Sequence, residues 1–467
     1  MPSSERSAHR SPAIDRTAPA DWEKALPSRL SVPEAIELAV QCHREGYLDA
    51  AEKIYRTVLD AAPDQADALQ FLGVLAHQRG DSRKAIELIQ RAIELSPEAP
   101  GLINNLGNVL YEAERFDEAA SAYEKALALA QESADAYSNL GAARRAQGRI
   151  AEAEEAYARA IKLEPLHADA HHNMGNLLTG QGRIKEAVTY FCKSITLRPA
   201  HAEAKRHLGI AYAMLGRIDE AAEVYRKWLR EEPDNLIASH MLAACCGEQV
   251  PARAADGYVE EIFDQFARSF DVRLAKLGYR APQLVCDAIQ KTCGPPTKRL
   301  TALDAGCGTG LCGPLIEPFV SRLTGVDLSS QMLAKAKARG IYDELVKSEL
   351  TEYLRAQAGA FDLVISADTL VYFGALEPVF AAAHIALRDA GVLIFTVEHA
   401  SDDRAAEAGY RLMLHGRYAH SQRYLRGALR DTGFDLITLE LAVLRMESGN
   451  EVTGMVVTAR KSHDAPG

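Results

Sequence analysis

The chain has 467 residues, more than the ~250–300 at which a single hydrophobic core stops growing, so two or more domains are expected. Its 48% hydrophobic and 25% charged residues are ordinary for a soluble protein, and a formal net charge of -11 argues against nucleic acid or an anionic membrane held by bulk electrostatics. No apolar run reaches the ~18–20 residues that cross a bilayer, and the first thirty residues lack the apolar core of a signal peptide, so a cytoplasmic chain without a membrane span is expected. The eight cysteines form no C-x-x-C pair, which suggests neither a disulfide framework nor a metal site. Cys42, Cys192, Cys245, Cys246, Cys286 and Cys293 are expected as small buried apolar residues.

Residues 1–31 are rich in Ser, Arg, Pro and Ala without apolar periodicity and read as a flexible tail. From residue 32 the sequence repeats every 34 residues. Gly73, Gly107, Gly141, Gly175 and Gly209 keep that spacing, as do Ala51, Ala85, Ala119, Ala153, Ala187 and Ala221. So do Tyr55, Ile89, Tyr123, Tyr157, Phe191 and Tyr225, and likewise Pro63, Pro97, Pro165, Pro199 and Pro233. These are the small, aromatic and proline positions of the tetratricopeptide repeat (TPR): the small residue admits a close helix approach, the aromatic fills the seam, and proline ends the second helix. Six repeats are expected over 32–235, an all-α solenoid, with a solvating helix at Leu236–Cys246 and a linker at 248–256, so that 236–256 is cap and linker. Ala39 stands for glycine in the first unit, Gln131 for proline in the third, and Trp228 for the usual alanine in the last.

The first helices of the repeats are expected to line the concave face of a right-handed superhelix that binds a protein or peptide. Asn105, Asn139 and Asn173 recur 34 apart on that side, and a carboxamide pairs with any peptide backbone because it both donates and accepts. The pattern resembles the asparagine ladder of O-GlcNAc transferases. The competing reading is that asparagine is common at this repeat position; Glu37, Phe71 and His207 hold it in other units. His171 and His172 read as groove-lining polar residues rather than metal ligands.

Two amphipathic helices are expected at 258–275 and 281–291, the first with Phe263, Phe266, Phe270 and Leu274 on related faces. Arg299-Leu-Thr-Ala-Leu-Asp304 then reads as a buried strand entering Ala305-Gly-Cys-Gly-Thr-Gly310, a loop whose glycines permit positive φ and close backbone approach to a ligand. Gly308-Thr-Gly-Leu-Cys-Gly313 also matches the dinucleotide fingerprint G-x-G-x-x-G. Asp304 decides between them. D-x-G-x-G-x-G resembles the first motif of class I methyltransferases, and a carboxylate there suits the cationic amino-acid end of S-adenosylmethionine (SAM) but repels a pyrophosphate.

Further strands agree in order: Thr324-Gly-Val-Asp327, Leu345-Val-Lys-Ser-Glu-Leu350, Phe361-Asp-Leu-Val-Ile-Ser-Ala-Asp368, Gly391-Val-Leu-Ile-Phe-Thr-Val397, and a closing hairpin at 434–445 and 452–460. From about Gly257 to Arg460 the chain resembles a bacterial group of predicted methyltransferases that carry TPRs, the array included, with Leu311–Leu315, Arg339–Leu345 and Gly416–Ser421 as further shared segments. The resemblance implies an α/β class I domain at 257–467, a Rossmann-like seven-stranded sheet ending in an antiparallel hairpin, with 257–297 as lid helices. It also implies SAM as cofactor, no metal, and a cofactor site of Asp304, Gly306, Cys307, Gly308, Thr309, Gly310, Asp327, Leu328, Met332, Glu349 and Leu350. In it Asp327 takes the ribose hydroxyls and Glu349 the adenine amino group.

The acceptor is expected beyond the carboxyl ends of strands four and five, near Asp368 and Tyr372, under a segment holding His415, Arg417, Tyr418 and His420. His420 or His415 is a candidate base oriented by Asp368; the alternative is that Tyr418 and His420 merely hold the loop. Three functions are compatible: the leading one is methylation of a protein recruited by the repeats, the alternative is methylation of a small molecule, lipid or glycan precursor by an enzyme docked through them, and the third is a non-catalytic adaptor with a SAM-sensing domain. The intact loop and both acids favour an enzyme. The sequence identifies neither acceptor nor oligomeric state.

Overall fold

In the computed structural model, residues 30–401, 407–447 and 449–462 are described. The expected tail falls outside them up to residue 29. Ser31 belongs to the first helix, its N–H and hydroxyl donating to the Glu34 carboxylate at 2.8 and 2.7 Å. The chain divides into two compact units, one running to Leu177 and the other beginning at Leu178. No helix among the described residues is long and apolar enough to cross a membrane.

The first unit is built of helix pairs: α1 (Val32–Arg44) with α2 (Leu48–Ala61), α3 (Ala66–Gln78) with α4 (Ser82–Leu95), α5 (Pro100–Glu112) with α6 (Phe116–Leu129), and α7 (Ala134–Ala146) with α8 (Ile150–Leu163). The glycine and aromatic registers meet in space. A Cβ on Gly107 would stand 2.5 Å from the Tyr123 ring, and one on Gly141 2.6 Å from Tyr157. The turn within each pair needs a left-handed residue, supplied by Gly46, Gly80 and Gly148 but by Glu114, at φ 62°, in the third repeat.

The boundary falls inside α9 (Ala168–Gly180). The second unit continues with α10 (Ile184–Leu197), α11 (Ala202–Met214), α12 (Ile218–Glu231) and α13 (Leu236–Cys246). Trp228, in place of the usual alanine, is accommodated in the interior. It is 1% exposed and shares a core with Tyr225, Ile237, Met241 and Tyr258. Residues 248–256, read from sequence as a linker, are pinned: Tyr418 Oη donates to Pro251 O at 2.7 Å, Gly374 and Ala375 N–H to Ala252 O at 2.8 Å, and Ala254 N–H to Tyr372 O at 2.8 Å.

The helix expected at 258–275 is broken. α14 (Asp256–Phe266) passes through a 3-10 turn at Ala267–Ser269 into α15 (Phe270–Lys276), which buries Ala267 and brings Phe263 and Phe270 edge to face at 5.8 Å. After α16 (Ala281–Cys293) come β1 (Leu300–Ala305), α17 (Gly313–Ile316), β2 (Val320–Asp327), α18 (Ser330–Ala338), β3 (Glu344–Lys347), α19 (Leu350–Arg355), β4 (Phe361–Ser366), α20 (Glu377–Ala386) and β5 (Leu387–His399). Then follow β6 (Tyr410–Leu412), β7 (Tyr418–His420), α21 (Gln422–Asp431), β8 (Phe434–Glu447) and β9 (Asn450–Lys461). β1–β5 are parallel in the order β3-β2-β1-β4-β5, and β9 joins β5 antiparallel with β8 outside it. These are the seven strands expected. The pair β6–β7, hydrogen-bonded to the end of β5, was not anticipated in a stretch read as loop.

The cysteine expectation holds for Cys42 alone of the six; Cys246 and Cys293, which end helices, are exposed, and Cys192, Cys245 and Cys286 are half-buried. The repeat geometry yields a paired test by urea unfolding. Gly141→Ala is expected to cost ~1–3 kcal/mol by overpacking against Tyr157, and Glu114→Gly to add ~0.5–1 kcal/mol by relieving its left-handed backbone.

Candidate cofactor and acceptor site

The site is assembled where β1 and β2 end. Gly306 and Cys307 N–H donate to Val326 O at 2.8 and 3.0 Å, which turns the chain sharply after β1. Gly308 N–H then donates to Asp327 Oδ2 at 2.9 Å, while Ser329 N–H donates to Oδ1 at 2.8 Å. Burial raises the Asp327 pKa, and these N–H groups work against that shift by favouring the carboxylate.

Three side chains tie the lid helices to the sheet side, one of them to the glycine loop. Asp271 accepts from Thr309 Oγ1 and from Arg339, whose Nε donates to Thr309 O at 2.6 Å. Asp264 accepts from Ser329, and Glu260 pairs with Lys347.

Between loop and lid lies a cavity of about 380 Å³. Its wall includes Gly306, Cys307, Gly308, Thr309, Asp327, Leu328, Glu349 and Leu350 on the sheet side, and Tyr258, Phe263, Phe266, Phe270 and Leu274 on the lid side. Glu349 Oε2 caps α19 through Glu352 N–H at 2.8 Å, whereas its buried Oε1 has no hydrogen-bond partner.

Three expected cofactor residues, Asp304, Gly310 and Met332, do not line the cavity. Asp304 is 1% exposed and accepts from Tyr342 Oη at 2.7 Å; burial pushes its carboxyl up to about 7. It supports the loop from beneath. Met332 is turned into the core of α18, and Gly310 is packed against Tyr342.

Of the expected acceptor residues, Asp368, Tyr372, His415 and Arg417 line the cavity; Tyr418 and His420 do not. His420 is 0% exposed, and its Nε2 lies 3.0 Å from Gly374 O. That carbonyl only accepts, so Nε2 carries the proton, and burial pushes the imidazole down to about 4. It therefore acts on the fold, fixing β7 against the turn after β4. Asp368 orients no histidine: its Oδ2 accepts from Arg445 Nη1 at 2.6 Å.

Sequence reasoning missed Arg445, Glu447 and Tyr279, which also line the cavity. A lone arginine within the apolar run Leu441-Ala-Val-Leu-Arg-Met446 was the available signal. It also missed Arg206 and Ile210 of α11 and Met241 of α13, repeat-region residues that form part of the same wall.

In the first unit, Asn139 Nδ2 donates to Asn104 Oδ1 at 3.2 Å and to Asn108 Oδ1 at 3.1 Å, and Asn173 Nδ2 lies 3.4 Å from Ser138 Oγ. Asn105 is half-buried. Two rungs of the ladder thus also join neighbouring repeats. His171 Nε2 approaches Pro165 O at 3.0 Å, and His172 Nε2 lies 3.2 Å from Asn176.

A methyltransferase-domain family model matches residues 303–395, and tetratricopeptide-repeat models match 44–100, 172–235, 100–164 and 132–200. The chain carries a methyltransferase domain that follows a TPR array.

Over 121 residues, 24% of this chain and 49% of the relative, it is 40% identical to human Methyltransferase-like protein 27 (Homo sapiens). It is 28% identical over 149 residues, 32% of this chain and 58% of the relative, to the Malonyl-[acyl-carrier protein] O-methyltransferase of Enterobacter lignolyticus. The chain spans about half the length of these curated relatives. Among solved structures it is similar to PilW, a type IV pilus biogenesis factor, at TM-score 0.42 and 20% identity, covering 46% of this chain and 100% of that one.

The depressed His420 pKa fixes the sign of a pH dependence in the methyltransferase domain. The group contributes stability that is present above its unfolded value of ~6.5 and is lost as pH falls toward about 4, because the unfolded chain binds the proton first. His420→Gln, which keeps a donor for Gly374 O, is expected to flatten the fall in urea midpoint between pH 7 and 4.5 and to leave SAM affinity unchanged by calorimetry.

Proposed function

We propose that this protein is a SAM-dependent methyltransferase acting on a small acceptor admitted to the lidded cavity, with the TPR array docking the enzyme on a protein partner. The observation that carries the reading is the two-sided cavity: a glycine loop and Asp327 on one wall, and an aromatic lid with a separate polar cluster on the other. The residues suit the cofactor. Gly308 has nothing but Phe270 Cε1, at 3.9 Å, near the position of a Cβ, leaving room for close approach, and Glu349 keeps a buried oxygen without a hydrogen bond beside the cavity, 3.8 Å from Arg253. Asp327 and Glu349 would hold the nucleoside, with Leu328 and Leu350 beside it.

SAM, when bound, supplies an electrophilic methyl group on a sulfonium. The chain then has to align the acceptor and exclude water, and positioning of this kind lowers a barrier by ~7–11 kcal/mol. The lid phenylalanines, with Asp271 tied to Thr309 and Asp264 to Ser329, suit that task. A relative that methylates a malonyl group on a carrier protein supports an acceptor that enters a pocket.

A second reading, methylation of a protein recruited through the repeats, is favoured by one observation: Arg206 and Ile210, from the last repeat, border the same cavity. A cytoplasmic location suits either. Calorimetry tests the cofactor. The full chain is expected to bind SAM, and Asp327→Ala to weaken it at least ~10-fold, the loss of one or more charge-assisted hydrogen bonds. NADH binding without SAM binding would return the domain to the dinucleotide class. The acceptor class is tested by incubating host lysate with labelled SAM and separating protein from small-molecule products.

A further inference from the structure

The cavity ends in a buried ion network that the cofactor does not explain. Arg445, 3% exposed, spends all three nitrogens inside the protein: Nη1 on Asp368 at 2.6 Å, Nε on Glu447 at 2.7 Å, and Nη2 on Glu398. Arg417 donates to Glu398 at 2.6 Å and to both Glu447 oxygens at 2.8 and 2.9 Å. Three carboxylates therefore face two guanidiniums.

His415 belongs to the same network: its Nδ1 lies 3.3 Å from Arg417 N and its Nε2 3.3 Å from Glu398 Oε2. The remaining arginines of the wall are engaged elsewhere. Arg253 is paired with Asp256 and lies 3.8 Å from Glu349, and Arg206 and Arg273 lie over the Phe266 ring at 5.3 and 4.6 Å.

Asp368 takes only one bond from the two guanidiniums, while Glu398 and Glu447 take the others, and burial raises its carboxyl above the ordinary value. A buried unpaired charge is costly unless something pairs it. Asp368 is the carboxylate with spare capacity, since its buried Oδ1 has no hydrogen-bond partner. Its backbone is held in the left-handed region at φ 59°, with its N–H on Thr396 Oγ1 at 2.8 Å, a strained arrangement typical of sites where a side chain must be presented. Tyr279 and Tyr372 add phenol oxygens to the same wall, and Phe263 stands edge-on to Tyr372 at 5.4 Å. Carboxylate, phenol oxygens and ring faces are the groups that recognise an ammonium.

We propose that the methyl acceptor is a protonated amine bound at Asp368, Tyr279 and Tyr372. This rests on the SAM-dependent reading above. In the step itself the ammonium gives one proton to Asp368, and the freed nitrogen lone pair forms the N–C bond to the methyl carbon. The C–S bond breaks with its electron pair on sulfur, leaving S-adenosylhomocysteine and an N-methylated amine.

The test is calorimetry on the full chain saturated with S-adenosylhomocysteine, titrated with a series of C4–C8 alkyl and aryl amines and the matching alcohols and carboxylates. A peptide with one lysine runs alongside to separate a protein side chain from a free amine as the source of the nitrogen. At least one amine is expected to bind ten-fold or more tighter than its alcohol and carboxylate. Asp368→Asn should abolish that preference while S-adenosylhomocysteine affinity holds, and Tyr279→Phe, which leaves the ion network whole, should weaken the amine several-fold.

Carboxylates binding as tightly as amines, or no amine preferred over its alcohol, would overturn the proposal. So would Asp368→Asn weakening S-adenosylhomocysteine as much as the amine, since the charge would then serve the cofactor. Failure of the underlying reading is visible separately, as absence of S-adenosylhomocysteine binding by the parent protein.

Discussion

The cavity exists because the end of the repeat array and the start of the methyltransferase domain share one apolar core. Tyr225 and Trp228 of α12, Ile237 and Met241 of α13, and Tyr258 of α14 are each 3% exposed or less, and Tyr372 packs against them from the turn after β4. At ~1.5–3 kcal/mol for each large apolar side chain, this burial offsets much of the cost of ordering the intervening segment. His240, sandwiched against the Tyr258 ring at 4.1 Å, adds a directed contact by reaching Gly416 O at 2.9 Å. Burial holds that imidazole below its ordinary pKa. With α14 fixed at its first turn, its later turns and α15 are carried over the glycine loop as a lid.

That arrangement separates two kinds of polar chemistry. Beside the glycine loop the acids are met mainly by backbone, Asp327 by Gly308 and Ser329 and Glu349 by Glu352, with Arg253 3.8 Å from the other Glu349 oxygen. Backbone donors are neutral, so the carboxylates keep their charge available to a ligand. Around Asp368 and Glu398 the acids are met by guanidiniums, and the His415 hydrogen bond together with the charges of Arg417 and Arg445 holds Glu398 well below the ordinary carboxylate range although burial works the other way. Removing one arginine from such a network would leave a buried carboxylate unpaired, which costs far more than an exposed pair of the same geometry.

The repeats and the strand-loop-helix start of the domain were legible because each is specified within one repeat or one turn. Gly141 and Tyr157 lie sixteen residues apart and meet in every well-formed unit. The closure of the cavity was not legible, because it depends on pairs such as His240 with Gly416 and Tyr418 with Pro251, distant in sequence and without periodicity. Histidine and tyrosine in Gly416–Ser421 drew attention as titratable groups in a loop. The segment instead pairs with β5 as β7, and a short strand covered on both faces turns such residues into core. Arg445 ran the other way: an apolar strand hid the one charged residue that the site is organised around.

The glycine loop itself holds a last distinction. Asp304 separated the two readings of the loop in the sequence, and the structure adds a second side chain to the distinction, Tyr342. A Cβ on Gly310 would stand 2.9 Å from its ring, one on Gly313 3.0 Å and one on Gly325 2.9 Å, so three glycines make space for a single tyrosine. In a dinucleotide loop the corresponding space lets backbone approach a pyrophosphate. Here a phenol fills it and donates to Asp304 at 2.7 Å, placing a buried acid directly under the loop. Of the motif's glycines, Gly306 is crowded by Thr369, leaving Gly308 as the one with open space toward the cavity. The match to G-x-G-x-x-G is therefore a consequence of packing Tyr342, and the loop that remains open to a ligand is the short arc from Gly306 to Thr309, next to Asp327.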